Sequence, residues 1–147
     1  MASEEEERQM VIAEARSWVG TPFRHCSAVK GAGCDCAMLL VSSFVASGLV
    51  PPFDPRPYPT AWHLHQDEEK FLGWIAKYAG EVKTPKPGDI VLYKFGRCYS
   101  HGAIMVSPTE IVHAYFRERK VVVSETFLAG LAERPQRYFS LWAPVAE

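Results

Sequence analysis

The chain has 147 residues, with 16 Lys and Arg against 17 Asp and Glu, so its formal net charge is −1. With 48% hydrophobic and 22% charged residues, the composition is typical of one globular domain, and we treat residues 1–147 as a single domain. The near-zero charge, without a cluster of Lys and Arg, excludes a chain built mainly to bind nucleic acid. There is neither a secretory signal nor a run of ~18 apolar residues, so we expect no membrane insertion and a chain that is cytoplasmic as synthesised.

The first predicted element is a helix from about Glu4 to Trp18. Ser3 stands three residues before Glu6, which is a capping box, and apolar residues then recur at helical spacing. The following residues, 21–34, contain glycines and no hydrophobic period. They are predicted to form a loop.

Two further helices are predicted. Asp35 can cap an almost wholly apolar helix over residues 36–47, which is typical of a buried helix. A segment with five prolines, residues 51–59, cannot be regular and is predicted to cross the domain in extended form. An amphipathic pattern then predicts a third helix over about residues 62–78.

The second half of the chain changes to short runs rich in β-branched and aromatic residues, separated by turn signals. Helices followed by such runs predict an α+β domain with an antiparallel sheet. The predicted strands cover residues 89–95, 100–106, 110–116, 121–126 and 137–142.

Four cysteines are available for functions other than disulfide bonds, because a chain of this length can bury a core unaided. Cys26, Cys34 and Cys36 fall close together, and Cys98 lies far from them. A structural zinc site usually needs two short cysteine pairs, and Cys34-x-Cys36 has no second pair. We therefore predict neither a metal nor a cofactor.

Cys36 differs from the other cysteines because it begins the apolar helix. The unpaired N–H groups and the dipole at a helix start favour negative charge and can lower the pKa of a thiol. We therefore expect Cys36 to be a thiolate nucleophile if a histidine lies within hydrogen-bond reach.

His101 and His113 are the strongest candidates for that base and its orienting partner. If Ser107-Pro108-Thr109 is a three-residue hairpin loop, the two imidazoles lie on one face as diagonal neighbours, whereas a two-residue loop would separate them. His113 could then hold His101 in the tautomer that accepts a proton. His25 is a weaker candidate, and the two histidines beside the third helix, His63 and His65, are predicted to lie on the surface.

Five stretches of the chain, in order, resemble the NlpC-type cysteine peptidases of bacterial cell-wall peptides, a compact papain-like family. They lie between about Val11 and Phe116 and include an entry helix, a Gly-x-Asp-Cys signature and a Pro-Gly-Asp strand opening. The stretches are Ala15–Phe23, Gly33–Cys36, Lys86–Val91, Ser100–Ile104 and Ile111–Ala114.

The resemblance implies an α+β papain-like domain that hydrolyses an amide bond in a peptidoglycan stem peptide. Cys36 would be the nucleophile, His101 the base and His113 the orienting residue. The loop Arg24-His25-Cys26 looks closest to phage-associated variants, which implies phage-tail proteins as partners and contact with the cell wall after delivery or release.

Two positions depart from the family pattern. Phe23 stands where the family commonly has a tyrosine whose hydroxyl supports the reacting centre, and Met38 stands where a glycine is common. These departures leave two alternatives open. One is a non-catalytic or weakly active interaction component of the same fold, and the other is a related amidase or acyltransferase acting on another substrate.

Overall fold

The computed structural model describes residues 2–57 and 70–146, which form three helices and eight strands. Within these ranges, no helix has the length and apolar character needed to span a bilayer. The helices are α1 (Glu4–Ser17), α2 (Cys36–Ala46) and α3 (Lys70–Tyr78). The strands are β1 (Ala28–Val29), β2 (Gly33–Cys34), β3 (Gly80–Val82), β4 (Ile90–Phe95), β5 (Cys98–Ser107), β6 (Glu110–Tyr115), β7 (Lys120–Glu125) and β8 (Gln136–Ser140).

The first two helices begin where their capping residues predict. The Ser3 hydroxyl accepts a hydrogen bond from the Glu6 N–H, and the Glu6 carboxylate accepts one from the Ser3 N–H, both at 3.2 Å. The carboxylate of Asp35 accepts a hydrogen bond from the Met38 N–H at 2.9 Å and so caps α2. Both predicted helices are confirmed to within one residue, because local capping and the hydrophobic period decide them.

The third helix is described from Lys70 to Tyr78, which confirms the second half of its predicted span. Residues 62–69, including His63 and His65, lie outside the described residues. The described part of the proline-rich segment, residues 51–57, contains neither helix nor strand, as expected.

The main sheet has six antiparallel strands in the order β3-β8-β4-β5-β6-β7. All five predicted strands are present. The short strand β3 was not predicted, and the predicted loop over residues 21–34 contains the antiparallel pair β1–β2. Strands of two or three residues are too short to show a period of two, so the sequence pattern could not reveal them.

The two faces of the sheet carry different packing. The helices cover one face, where Leu40 of α2 and Phe71 of α3 pack with Ile104 and Val112. The opposite face has a second cluster, which includes Ala103 of β5. Side chains alternate along a strand, so His101 shares the face of Ala103 and lies away from the helices.

The Pro-Gly-Asp stretch attaches α1 to the start of β4. One carboxylate oxygen of Asp89 accepts a hydrogen bond from the Arg8 guanidinium at 2.8 Å, and the other accepts one from the Lys86 N–H at 2.9 Å. Gly88 adopts a positive φ of 99°, and the Arg8 side chain packs directly against it. The motif therefore has a structural role, in which a buried ion pair fixes α1 to the sheet.

Candidate active site

Cys36 is the first residue of α2 and lies against the strand that carries His101. Its thiol donates a hydrogen bond to the carbonyl oxygen of Ser100, with Sγ and O 3.5 Å apart. The backbone N–H groups of Gly102 and Ala37 also lie near the sulfur, where they favour its negative charge. The thiol thus contacts the β5 backbone on both sides of His101.

The surroundings of Cys36 oppose the sequence-based expectation of a thiolate. Burial, and after it the negative charge of Asp35, raise the pKa of the Cys36 thiol to about 12. The N–H donors of Gly102 and Ala37 lower it only in part. Desolvation acts against the thiolate more strongly than the helix start favours it. This direction opposes the expected thiolate, which stays a prediction.

His101 and His113 form a hydrogen-bonded pair on neighbouring strands. His101 Nε2 and His113 Nδ1 are 2.8 Å apart, and His113 Nε2 lies 2.8 Å from the hydroxyl oxygen of Ser124. The three residues come from β5, β6 and β7 in that order. They form a continuous polar chain across three strands of the sheet.

The register that brings the histidines together agrees with the prediction, although the turn does not. Ile104 is opposite Val112, which is the register of the proposed three-residue loop. The hairpin closes with Ser107 opposite Glu110, a two-residue turn, and an irregular step between Met105 and Ser107 takes up the extra residue. The bulge inserts this residue into β5, so the strand register beyond it is the one predicted for the longer loop. Both histidines therefore remain on one face of the sheet.

The surroundings of His101 favour its neutral form. Burial, then the neighbouring His113, and then the charge of Arg134 lower the pKa of His101 well below its usual value. The ring contacts three aromatic side chains, those of Tyr93, Phe95 and Tyr115.

His113 is also neutral at rest. It is fully buried and stacks on Tyr115 with ring centroids 4.7 Å apart, and burial lowers its pKa to about 4. The pKa of the Cys36 thiol is therefore raised, while those of the two neighbouring-strand imidazoles are lowered. Both directions favour the neutral forms of the thiol and the imidazoles.

The predicted site also requires a direct contact between the Cys36 thiol and the His101 imidazole. Over residues 2–57 and 70–146, the hydrogen bonds of Cys36 go to backbone groups, and none joins its sulfur to the ring of His101. Since His101 Nε2 is bonded to His113, Nδ1 is the atom through which His101 can reach the thiol.

No protein-family profile matches the sequence, and no curated protein sequence matches it significantly. Solved structures do match in their three-dimensional arrangement. The peptidoglycan hydrolase RipB from Mycobacterium tuberculosis is 17% identical, with a TM-score of 0.65 over 93% of this chain. NlpC1 from Trichomonas vaginalis is 12% identical, with a TM-score of 0.64 over 95% of this chain.

The chain has the NlpC/P60 fold. A third match, RipD from Mycobacterium tuberculosis, is described as a non-catalytic NlpC/p60 domain protein adapted to peptidoglycan binding. It is 17% identical, with a TM-score of 0.59 over 91% of this chain and 96% of its own. This chain spans 45% of NlpC1 and 65% of RipB. The papain-like α+β fold implied by the sequence resemblance is confirmed.

The remaining predicted residues are separate from the histidine pair. None of the four cysteines, all within the described ranges, forms a disulfide bond. Cys34 is buried in β2, where burial and Asp35 raise its pKa to about 12. Cys98 is buried at the start of β5. His25 lies beside Asp35 and Cys26.

Phe23, which the sequence resemblance aligns with a tyrosine, lies in the loop before β1. Its N–H donates to the carbonyl of Arg119 at 2.8 Å, and its backbone bridges to Cys34. The ring is half-buried and packs against the hydrophobic cluster between the helices and the sheet, which includes Leu40 and Ile104. A phenyl ring has no hydroxyl to donate, so the backbone N–H groups at the start of α2 are the donors at this end of the site.

Ser124 is the site residue that the sequence analysis missed. β7 pairs with β6 so that Ile111 is opposite Ser124 and His113 is opposite Val122. Ser124 is therefore the diagonal neighbour of His113 on the same face. Extending the predicted register by one strand would have identified it, since it is the first polar residue after a run of three valines.

Proposed function

We propose that this chain is a cysteine peptidase that hydrolyses an amide bond in peptidoglycan stem peptides, with Cys36, His101 and His113 as its catalytic residues. The observation that carries the proposal is the meeting of α2, β5 and β6 at one place. The thiol bonds to the carbonyl that precedes His101, and the His101 ring is 2.8 Å from His113.

The polar chain supports one useful arrangement of protons. If His113 donates its Nε2–H to Ser124, its Nδ1 is free to accept the Nε2–H of His101. Nδ1 of His101 then carries no proton and can accept one from Cys36. The reverse arrangement would place a proton on Nδ1, and His101 could not act as a base.

The raised thiol pKa means that the proton leaves Cys36 only as the sulfur attacks. In the first step, Sγ bonds to the amide carbonyl carbon while its proton passes to Nδ1 of His101. His101 then protonates the amide nitrogen, the C–N bond breaks, and the amine leaves a thioester on Cys36. Water, deprotonated by His101, cleaves the thioester and releases the acid and the free thiol.

Two observations support peptidoglycan peptides as the substrate class. The resemblance of the Gly33–Cys36 and Ser100–Ile104 stretches points to cell-wall peptides, and matched structures such as RipB and SagA are described as peptidoglycan hydrolases. The Arg24–Cys26 loop resembles phage-associated variants. We include a phage-tail protein in the proposal as the partner that carries the domain to the wall.

The test is incubation of the protein with purified stem peptides, followed by detection of new amines by mass spectrometry. Cys36→Ala is expected to abolish cleavage, whereas Cys34→Ala, which removes the neighbouring buried thiol, is expected to retain it. Absence of any new amine between roughly pH 5 and 9, or equal cleavage by Cys36→Ala, would refute the peptidase.

A second candidate is a non-catalytic domain that binds peptidoglycan. The raised pKa of Cys36 favours it, because a protonated thiol is a poor nucleophile, and RipD combines a similar fold with a described binding role. Co-sedimentation of the protein with intact peptidoglycan, without release of soluble fragments, distinguishes this function. Binding is then expected to be the same for Cys36→Ala.

A further inference from the structure

A second group of reactive side chains lies near the start of α2 and has no part in the proposed peptidase chemistry. His25, Cys26 and Asp35 each offer one potential ligand atom, and these atoms lie within 4.8 Å of one another. Cys26 Sγ is 3.3 Å from His25 Nε2, and His25 Nδ1 is 3.9 Å from a carboxylate oxygen of Asp35. The group is therefore compact enough to surround one ion.

The ligand types select a class of metal. Thiolate, imidazole and carboxylate together suit Zn²⁺ and similar divalent ions, whereas Mg²⁺ and Ca²⁺ prefer oxygen ligands alone. Bonds of about 2.0–2.3 Å in a tetrahedral site place ligand atoms about 3.3–3.8 Å apart. The 3.3 Å separation of Cys26 Sγ and His25 Nε2 lies in this range, and the three ligand atoms, one from each residue, all lie within 4.8 Å of one another.

The backbone holds two of the ligands in position. Cys26 has a positive φ of 60°, a conformation that is uncommon for residues other than glycine. It is held there by its N–H, which donates to Asp35 at 2.7 Å, and by its carbonyl, which accepts from Arg56 at 3.1 Å. The other oxygen of Asp35 is held by Met38. Such supporting bonds orient metal ligands.

The surroundings leave a route for an ion. His25 is exposed and Cys26 is half-buried, so an ion can reach both side chains from solvent. The nearby positive charge of Arg56 is paired with Asp54, with Arg56 Nη2 and a carboxylate oxygen 2.6 Å apart. That pairing reduces the repulsion that Arg56 exerts on a cation.

We propose that His25, Cys26 and Asp35 bind one Zn²⁺-type divalent ion and leave its fourth position open to water or an added ligand. On binding, the Cys26 thiol releases one proton to solvent as its sulfur bonds to the metal. The ion links the loop around Cys26 to the residue that caps α2. The proposal does not rest on the proposed peptidase, although Asp35 caps the helix that begins at Cys36 and its charge raises the pKa of the Cys36 thiol. The site uses mixed ligands that a search for cysteine pairs does not find.

The test is titration of the full chain with Co²⁺, whose thiolate-to-metal absorption band reports a bound cysteine, and with Zn²⁺ in competition. We expect the Co²⁺ band to be absent in both Cys26→Ser and His25→Gln. We also expect the affinity of both variants for Zn²⁺ to fall by at least about 10-fold. Cys36→Ser and Cys34→Ser are the matched controls, and both are expected to keep the band. Zn²⁺ is expected to raise the Tm of the wild-type protein and not that of Cys26→Ser.

Three results would overturn the site. The first is the absence of a thiolate band in the wild-type protein, and the second is retention of the band in Cys26→Ser. The third is loss of the band in Cys36→Ser, which would place the ion at the candidate active site instead. Circular dichroism and the metal-free Tm, expected to match the wild type, establish that each variant is folded. Because the readouts are spectroscopic and thermal, they do not depend on peptidase activity.

Discussion

His101 and His113 face each other across β5 and β6, with His101 Nε2 2.8 Å from His113 Nδ1. Each neutral ring has one donor and one acceptor nitrogen, so this bond couples the tautomer of one ring to that of the other. Ser124 holds the far nitrogen of His113, also at 2.8 Å. The proton position on His101 therefore depends on a residue two strands away.

Loss of His113 is expected to reduce amide hydrolysis more than loss of Ser124. His113→Ala leaves Nε2 of His101 without its partner in a buried site, and kcat should fall by at least about 100-fold. Ser124 is half-buried, so water can replace its hydroxyl in Ser124→Ala and the loss should be smaller. Steady-state kinetics on stem peptides provide the measurement, and an unchanged kcat in His113→Ala would contradict the polar chain.

Stability is expected to fall as the pH decreases from about 6.5 to about 4, because the pKa of His113 is lowered to about 4 in the folded state. In this range the unfolded chain binds the proton and the folded chain does not, so protonation favours unfolding. A shift from 6.5 to about 4 corresponds to about 3 kcal/mol. The buried His101 acts in the same direction.

The measurement is urea unfolding across this pH range for the wild type and for His113→Gln, which retains a hydrogen-bonding amide. The variant is expected to show a weaker pH dependence. An equally steep dependence in the variant would assign the effect to other groups.

Alkylation of Cys36 is expected to accelerate about ten-fold for each pH unit from about pH 6 to 9. With a pKa of about 12, the thiolate fraction of Cys36 rises steadily over this range and does not level off. Iodoacetamide labelling followed by peptide mass spectrometry measures the rate, in a Cys34→Ala background so that the peptide containing Cys36 carries no second nearby thiol. A plateau at acidic pH would show that the thiolate is already formed.

Asp89→Asn is expected to destabilise the fold by about 3 kcal/mol, because it removes the buried carboxylate partner of Arg8 and leaves only the exposed Glu4 as an ionic partner. The matched control is Glu81→Gln, the same change in an exposed pair with Arg137, which should cost less than about 1 kcal/mol. Urea midpoints at unchanged m-value give both costs. Similar midpoints for the two variants would mean that the Pro-Gly-Asp stretch does not stabilise α1 against β4.

The elements that the sequence predicted well are those decided by neighbouring residues. The capping box at Ser3 and the cap at Asp35 place the first two helices, and alternation along residues 100–106 and 110–116 places the histidines on one face. The turn was predicted with one residue too many. A bulge before Ser107 accommodates the residue that was assigned to the turn. A three-residue loop and a two-residue turn with a bulge give the same strand register, and sequence patterns do not distinguish them.

What the sequence determined by itself is the order of helices and strands and the position of Cys36 at a helix start. These follow from capping and from the side-chain periods of helix and strand. Only the tertiary structure decided that a bulge keeps His101 paired with His113, that Ser124 continues the polar chain, and that burial and Asp35 raise the pKa of the Cys36 thiol. Burial, charge and hydrogen bonding from residues distant in the chain set a pKa, and no local pattern contains those distances.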